Sequence, residues 1–299
     1  MFESMTRRNL LKTTAVAGLA AMAHRAGAAG AAETAAAKAP GRDVAPWSLY
    51  AFDNGLNGPD VPEVEAKAAL LKKLGYAGMT DHYNLNRLPQ VLAALDKHGL
   101  EFASLYVTPL IENEIDPKLA DAVAILKGRR SRIEINFNSK KFKPSDPAGD
   151  PAALDYLKRV ADWCGDTGPL VTIYPHRGCW TERHEDALRL VKAVARPTVG
   201  MNLNLVHWKW VKPVTPLADL LAQTAPHLSL VTINGLGPAD EILPLGEGPF
   251  DVTAWLAAVK KAGFNGPVGL QCYKVAGPSE AHLAKSMAAW KEMKKAVNP

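Results

Sequence analysis

Cysteine is scarce. The chain of 299 residues has three, Cys164, Cys179 and Cys272, an odd number whose spacings match no metal-binding motif, which excludes a disulfide framework and a cysteine-built zinc centre. No stretch reaches the roughly 18 consecutive apolar residues that a membrane-spanning helix requires. An excess of charge is also missing. The formal net charge is +5, but the first thirty residues carry Arg7, Arg8, Lys12 and Arg25 against Glu3 alone, and without them 31 basic residues face 29 acidic ones. So even a balance leaves no basic footprint for nucleic acid. No glycine-rich phosphate cradle and no arginine cluster occurs, which points to an unphosphorylated ligand. What is present is ordinary globular material, 47% hydrophobic and 22% charged, with enough apolar sequence to bury a large core without crosslinks.

The N-terminus reads as an address. Thr6-Arg7-Arg8-Asn9-Leu10-Leu11-Lys12 precedes a mostly apolar run from Thr13 to Ala23, and small residues follow through Ala28 to Ala32. This order resembles a twin-arginine export signal, with Leu10 where phenylalanine is commonest. It implies a signal over residues 1–30, an Ala-, Pro- and Gly-rich linker over 31–45, and a protein folded before export to the periplasm or beyond.

From Trp47 onward short apolar, β-branched runs alternate with amphipathic stretches. Strands are predicted at Trp47 to Phe52, Tyr76 to Thr80, Glu101 to Val107, Arg132 to Phe137, Leu170 to Tyr174, Thr198 to Leu203, Leu228 to Ile233 and Pro267 to Gln271. The helices between them are predicted at Val61 to Leu74, Leu88 to His98, Pro117 to Lys127, Ala152 to Cys164, Glu182 to Val194, Pro216 to Gln223, Val252 to Ala262 and Glu280 to Val297. Eight such units in about 250 residues fit a single-domain α/β (β/α)8 TIM barrel over 46–299. A doubly wound open sheet would want a G-x-G-x-x-G turn after its first strand, and there is none.

Alternation along the strands says which side chains meet on the barrel axis. In the run Ile133 to Asn138 the apolar set must face the helices, which turns Glu134, Asn136 and Asn138 inward. The same reading places Thr172, Tyr174 and His176, then Asn202 and Asn204, Thr232 and Asn234, and Gln271 and Tyr273 inside. Polar groups gathering toward the C-terminal strand ends predict a wet pocket at that face, because barrel interiors are otherwise filled by Val, Ile and Leu.

The strand-end segments Ile173-Tyr174-Pro175-His176, Asn202 to His207, Thr232-Ile233-Asn234-Gly235 and Gly269-Leu270-Gln271-Cys272 resemble the xylose-isomerase-like barrel superfamily of sugar phosphate isomerases and epimerases. The resemblance spans about Trp47 to Trp290. That family places Glu, Asp, His and Glu at the ends of strands five to eight around one divalent metal. The matching positions here are Tyr174, Asn204, Asn234 and Gln271, none of them a carboxylate or imidazole. A hard cation draws its affinity from anionic oxygens, so no metal cofactor is expected at the inherited site, although a replacement cage of Glu134, His176 and His207 has suitable ligand types for a divalent Mn or Mg. Amides that both donate and accept suit a neutral, hydroxyl-rich ligand.

The expected partner is therefore a small-molecule carbohydrate. Glu134, His176 and His207 are the candidate acid and base groups. Tyr174, Asn204, Asn234, Gln271, Asn136, Asp53, His82, Trp208 and Tyr273 are the candidate binding groups, with Trp180 and Trp210 as further stacking faces, Lys209 and Lys274 as sources of positive charge, and Asp81 beside His82. The expected activity is proton transfer next to a carbonyl, as in a sugar or keto-sugar isomerase or epimerase. The alternatives are a 3-keto-glycoside lyase or hydratase and a non-catalytic sugar-binding barrel.

Overall fold

A computed structural model describes residues 45–297. The export signal and nearly all of the linker read from the sequence lie outside the described residues. Eight parallel strands close into a barrel: β1 (Leu49–Ala51), β2 (Gly78–His82), β3 (Glu101–Val107), β4 (Arg132–Ile135), β5 (Leu170–Ile173), β6 (Val199–Asn204), β7 (Leu228–Ile233) and β10 (Val268–Leu270), the last pairing with β1. This is the (β/α)8 architecture. A two-stranded antiparallel ribbon, β8 (Gly235–Leu236) with β9 (Ile242–Leu243), decorates the loop after β7.

The helices on the outside are α1 (Val64–Leu74), α2 (Leu88–Lys97), α3 (Lys118–Ile125), α4 (Asp150–Cys164), α5 (His184–Val194), α6 (Leu205–Trp210), α7 (Leu217–Thr224), α8 (Val252–Lys261) and α9 (Ser279–Val297). Their ends follow local chemistry. The Asp251 side chain accepts from Ala254 N at 2.8 Å and so caps α8, while the α5 turn is closed by Asp186 accepting from Arg183 N at 2.9 Å. Gly75, at φ 87°, ends α1 in the left-handed region. The exception to the predicted pattern is α6. It starts directly at the end of β6 because the Asn204 side chain, still on the strand, accepts from His207 N at 3.1 Å. No helix among the described residues is long and apolar enough to cross a membrane.

Two cores result from the alternation. Ile133, Ile135 and Phe137 join Leu71, Leu95, Leu157, Leu190 and Leu256 in the layer between strands and helices. Inside the barrel a separate cluster forms from Tyr50, Phe52, Ala103, Tyr174 and Leu230, with Tyr106 packed against it. Glu134, Asn136, Thr172, Tyr174, Asn202, Asn204, Thr232 and Asn234 are all buried. Asn138 instead leaves the ladder for an isolated bridge to Leu110. Aromatic rings occupy the upper interior, and several of the inward polar groups bond to one another.

Gly269 makes that filling possible. A Cβ there would stand 2.7 Å from the Phe52 ring and 3.2 Å from the Tyr50 ring, and neither ring can shift cheaply in a close-packed interior. Gly269→Ala is expected to lower unfolding stability by about 1–3 kcal/mol, the usual cost of overpacking, measured by urea denaturation. A midpoint unchanged from wild type would show that the interior is not packed as described.

Candidate functional site

The mouth of the barrel has a tyrosine floor with imidazoles at both ends. The His82 and Tyr106 rings meet edge to face at 5.2 Å, Tyr106 and Tyr174 likewise at 5.2 Å, and Tyr174 and His207 at 5.7 Å. His176 lies against His207 with centroids 4.0 Å apart. Burial holds the Tyr174 phenol well above its ordinary range, with the neighbouring Tyr106 and Glu134 adding to the effect, so the floor is neutral. Asn204 Nδ2 donates to Tyr174 Oη at 2.5 Å, and Asn136 Nδ2 donates to Tyr106 Oη at 2.8 Å.

The two imidazoles on one wall hold their protons in opposite ways. His176 Nδ1 lies 2.8 Å from the Arg177 carbonyl oxygen, which can only accept, so Nδ1 carries the hydrogen and Nε2 keeps a lone pair. His207 Nδ1 instead accepts from Arg177 N at 3.4 Å, so its hydrogen sits on Nε2. That Nε2 is buried and has no partner among the described residues. Burial lowers the pKa of both, and His207 is pushed down further by His176, His184 and Arg177. A neutral acceptor and a neutral donor thus stand side by side. Cys179 Sγ, 3.4 Å from His176 Nδ1 and 3.5 Å from Asn136 Nδ2, closes this wall, and burial raises its thiol pKa.

On the opposite wall Asp53 Oδ2 accepts from His82 Nδ1 at 2.5 Å. That bond raises the His82 pKa against the effect of burial. Behind the pair, Asp81 is buried beside Arg87, with 3.5 Å between the charged atoms. Burial pushes its carboxyl to about 6, partly offset by Arg87. Buried Lys67 faces the same group, its pKa lowered by burial and by Arg87.

The remaining sequence candidates divide clearly. Asn204 and Gln271 meet, Asn204 Nδ2 lying 3.5 Å from Gln271 Oε1. Asn234 Nδ2 donates to Gly235 O at 2.7 Å, while its Oδ1 and that of Asn136 are buried without partners among the described residues. Glu134 stands one inward position before Asn136 on β4, fully buried, with Ser104 Oγ donating to one oxygen at 2.7 Å and Asn202 Nδ2 to the other at 2.9 Å. In that layer its two hydrogen bonds tie β4 to β3 and β6. Trp208 is turned away, its Nε1 donating to Thr215 O at 2.7 Å and its ring against Phe250 and Lys209. Trp180 packs on Phe137 in the outer core, and Trp210 Nε1 donates to Asp240 O. Tyr273 and Lys274 lie on the rim after β10. Tyr106, Cys179, Arg87 and Lys67 were missed. Tyr106 sits in Phe102-Ala103-Ser104-Leu105-Tyr106-Val107, whose nearly continuous apolar character hides which residues face inward.

The donor set does not fit the divalent metal that the fold family implies. The four corresponding side chains are neutral, three are amides whose NH2 groups repel a cation, and Tyr174 is held protonated. The alternative cage also fails to assemble, since both Glu134 oxygens are committed to β3 and β6. Among the described residues no three His, Cys, Asp or Glu side chains are placed to hold an ion.

Residues 68–293 match the family described as Xylose isomerase-like TIM barrel, and the chain belongs to that family. Solved structures share the fold at low identity. A D-allulose 3-epimerase from Methylomonas sp., in complex with D-allulose, aligns at 16% identity with a TM-score of 0.68, covering 84% of this chain and 98% of the other. A xylose isomerase-like TIM barrel protein from Mycobacterium smegmatis, in complex with magnesium, aligns at 16% identity and 0.62, again over 84% and 98%. An AP endonuclease, family 2, from Brucella melitensis aligns at 19% identity and 0.65, over 79% and 96%. No curated protein matches the sequence significantly.

Burial raises the Glu134 carboxyl from 4.5 to about 7, against the two hydrogen bonds that it accepts. The folded chain therefore holds this proton more tightly than the unfolded chain, and stability is lost as pH rises between those two values. Relative to Glu134→Gln, which stays neutral, wild type is expected to lose about 3 kcal/mol between about pH 4 and about pH 8. Parallel stability curves for the two proteins in urea would contradict the placement.

Proposed function

Taking membership of the xylose isomerase-like family as the premise, we propose that this protein moves a proton on the carbon next to the carbonyl of a neutral keto-sugar, as an isomerase or epimerase. The observation that carries the reading is the pair of opposite hydrogen-bond settings at the two Nδ1 atoms, beside the Arg177 carbonyl for His176 and the Arg177 N–H for His207, which assigns them opposite tautomers. Removing such a proton needs a base on the carbon and a donor on the oxygen that gains charge. His176 Nε2 takes the proton. His207 Nε2–H donates a hydrogen bond to the carbonyl oxygen as it becomes an enolate, a task that a neutral imidazole performs well in a site from which water is excluded. Tyr174 and Tyr106 offer phenol groups to sugar hydroxyls, and the unpartnered Oδ1 atoms of Asn136 and Asn234 accept from others. The donor set supports a reaction with no step through the family's metal, and the absence of an arginine cluster or phosphate cradle supports an unphosphorylated substrate.

Asp53–His82 supplies a second proton-handling group across the floor. Returning the proton there inverts the carbon, which is epimerisation. The same group protonating a departing oxygen on the neighbouring carbon gives elimination, and this second reading, a 3-keto-glycoside lyase, rests on the carboxylate-held imidazole. The twin-arginine-like N-terminus supports an exported enzyme that meets such sugars outside the cytoplasm.

Incubating the protein with keto-sugars in D2O and following the signal of the proton next to the carbonyl by NMR tests the assignment. His176→Ala is expected to slow exchange by about 10²- to 10⁴-fold and His207→Ala by about 10²- to 10³-fold, with unchanged circular dichroism. Retained exchange in His176→Ala would refute the base. Because burial lowers the His176 pKa, the acid limb of the pH profile is expected below 6.5 and not at the ordinary imidazole value; a limb above that value would point to His82.

A further inference from the structure

The loops after β1 and β10 border a half-open cleft of about 380 Å3 lined by Asn54, Asn57, Tyr273, Lys274, Gly277 and His282, a volume within the range of about 300–1,000 Å3 typical of small-molecule sites. Its walls are tied together, since Cys272 N donates to Asn54 Oδ1 at 3.1 Å. His282 is 6% exposed, and its Nε2 donates to Gly55 O at 2.9 Å, which leaves Nδ1 as a bare acceptor. That Nδ1 is buried and has no partner among the described residues. An unsatisfied buried acceptor costs free energy that a ligand hydroxyl would recover. At the rim stands Tyr273, 48% exposed and one of two exposed large hydrophobic side chains among the described residues. Lys274 beside it is held at φ 59°, in the left-handed region, with Nζ 5.3 Å from the Tyr273 ring centroid. A non-glycine residue in that conformation marks a backbone constrained by its surroundings.

The cavity adjoins the mouth along one seam of the barrel. Asn54 follows Asp53 in the chain, and Tyr273 follows Gln271 by two residues. We propose that this cavity is a second sugar site, taking a neutral ring joined by a glycosidic bond to the ring held over the tyrosine floor. The proposal rests on the keto-sugar reading of the mouth. An aromatic face, two amides, an ammonium group and one bare imidazole acceptor, with no carboxylate in the lining, match a ring whose hydroxyls donate and accept and which carries no charge. The substrate would then be a glycoside, and recognition of its second unit would come from the β1 and β10 loops.

Calorimetric titration of the full chain with glucose and with cellobiose, maltose, sucrose and trehalose tests this. At least one disaccharide is expected to bind tenfold or more tightly than glucose, and Tyr273→Ala, a change at an exposed position, is expected to bring that disaccharide to within about twofold of glucose. His176→Ala should keep the disaccharide preference while losing proton exchange. Binding of no disaccharide more tightly than glucose, binding of none of these sugars, or a preference that survives Tyr273→Ala would each overturn the second site. A disaccharide preference without proton exchange in the wild type would instead leave the second site standing and remove the catalytic reading.

Discussion

One amide holds the site together. Asn204 ends β6 with its Nδ2 bonded to the Tyr174 hydroxyl and its Oδ1 bonded to His207 N. The first bond sets the tyrosine floor, and the second starts α6 and so carries the His207 imidazole onto the wall. Because a side-chain amide has both a donor and an acceptor end, it can serve strand, floor and helix at once. A carboxylate at the same place could accept the α6 bond but would have no hydrogen for the phenol oxygen. The Asn204 amide is thus the joint between the floor and α6.

Beneath the floor the barrel continues in buried polar and charged groups, with Arg132 Nη2 donating to Ser229 O at 3.1 Å. Asn202 Nδ2 reaches both Glu134 and Thr232, and Thr172 shares a hydrogen bond of 2.8 Å with Ser229. Buried groups of this kind are tolerable when partnered, and these bonds tie the strands together across the interior, although Asn202 Oδ1 has no partner among the described residues. Toward the mouth, the buried polar atoms without partners among the described residues include His207 Nε2 and the Oδ1 atoms of Asn136 and Asn234, and beside it His282 Nδ1. These atoms mark the places where the fold leaves hydrogen-bonding capacity for a ligand.

The family relationship and the local chemistry address different levels. Membership follows from most of the chain, whereas likeness at 16–19% identity to an epimerase, a magnesium-bound barrel and an AP endonuclease-family protein conveys architecture alone. In this chain imidazoles stand on two walls of the mouth, His176 with His207 after β5 and β6, and His82 at the end of β2 bonded to Asp53 after β1.

The eight-fold alternation of strand and helix and the inward set on β4 were readable from the sequence, because each depends on periodicities of two or 3.6 residues. Asp53 and His82 were legible as candidates, but their pairing was not, since they lie 29 positions apart. Tyr106 was hidden in a strand apolar on both faces. Tertiary structure alone decided that Glu134 is a brace, that Trp208 turns outward, that α6 begins on a strand residue, and which nitrogen of each histidine bears the proton. For Glu134 and His207 the reason is that donors from distant segments arrive within hydrogen-bond reach; for α6, Trp208 and His176 the partner lies near in the chain, but the path of the folded backbone decides which donor meets which acceptor.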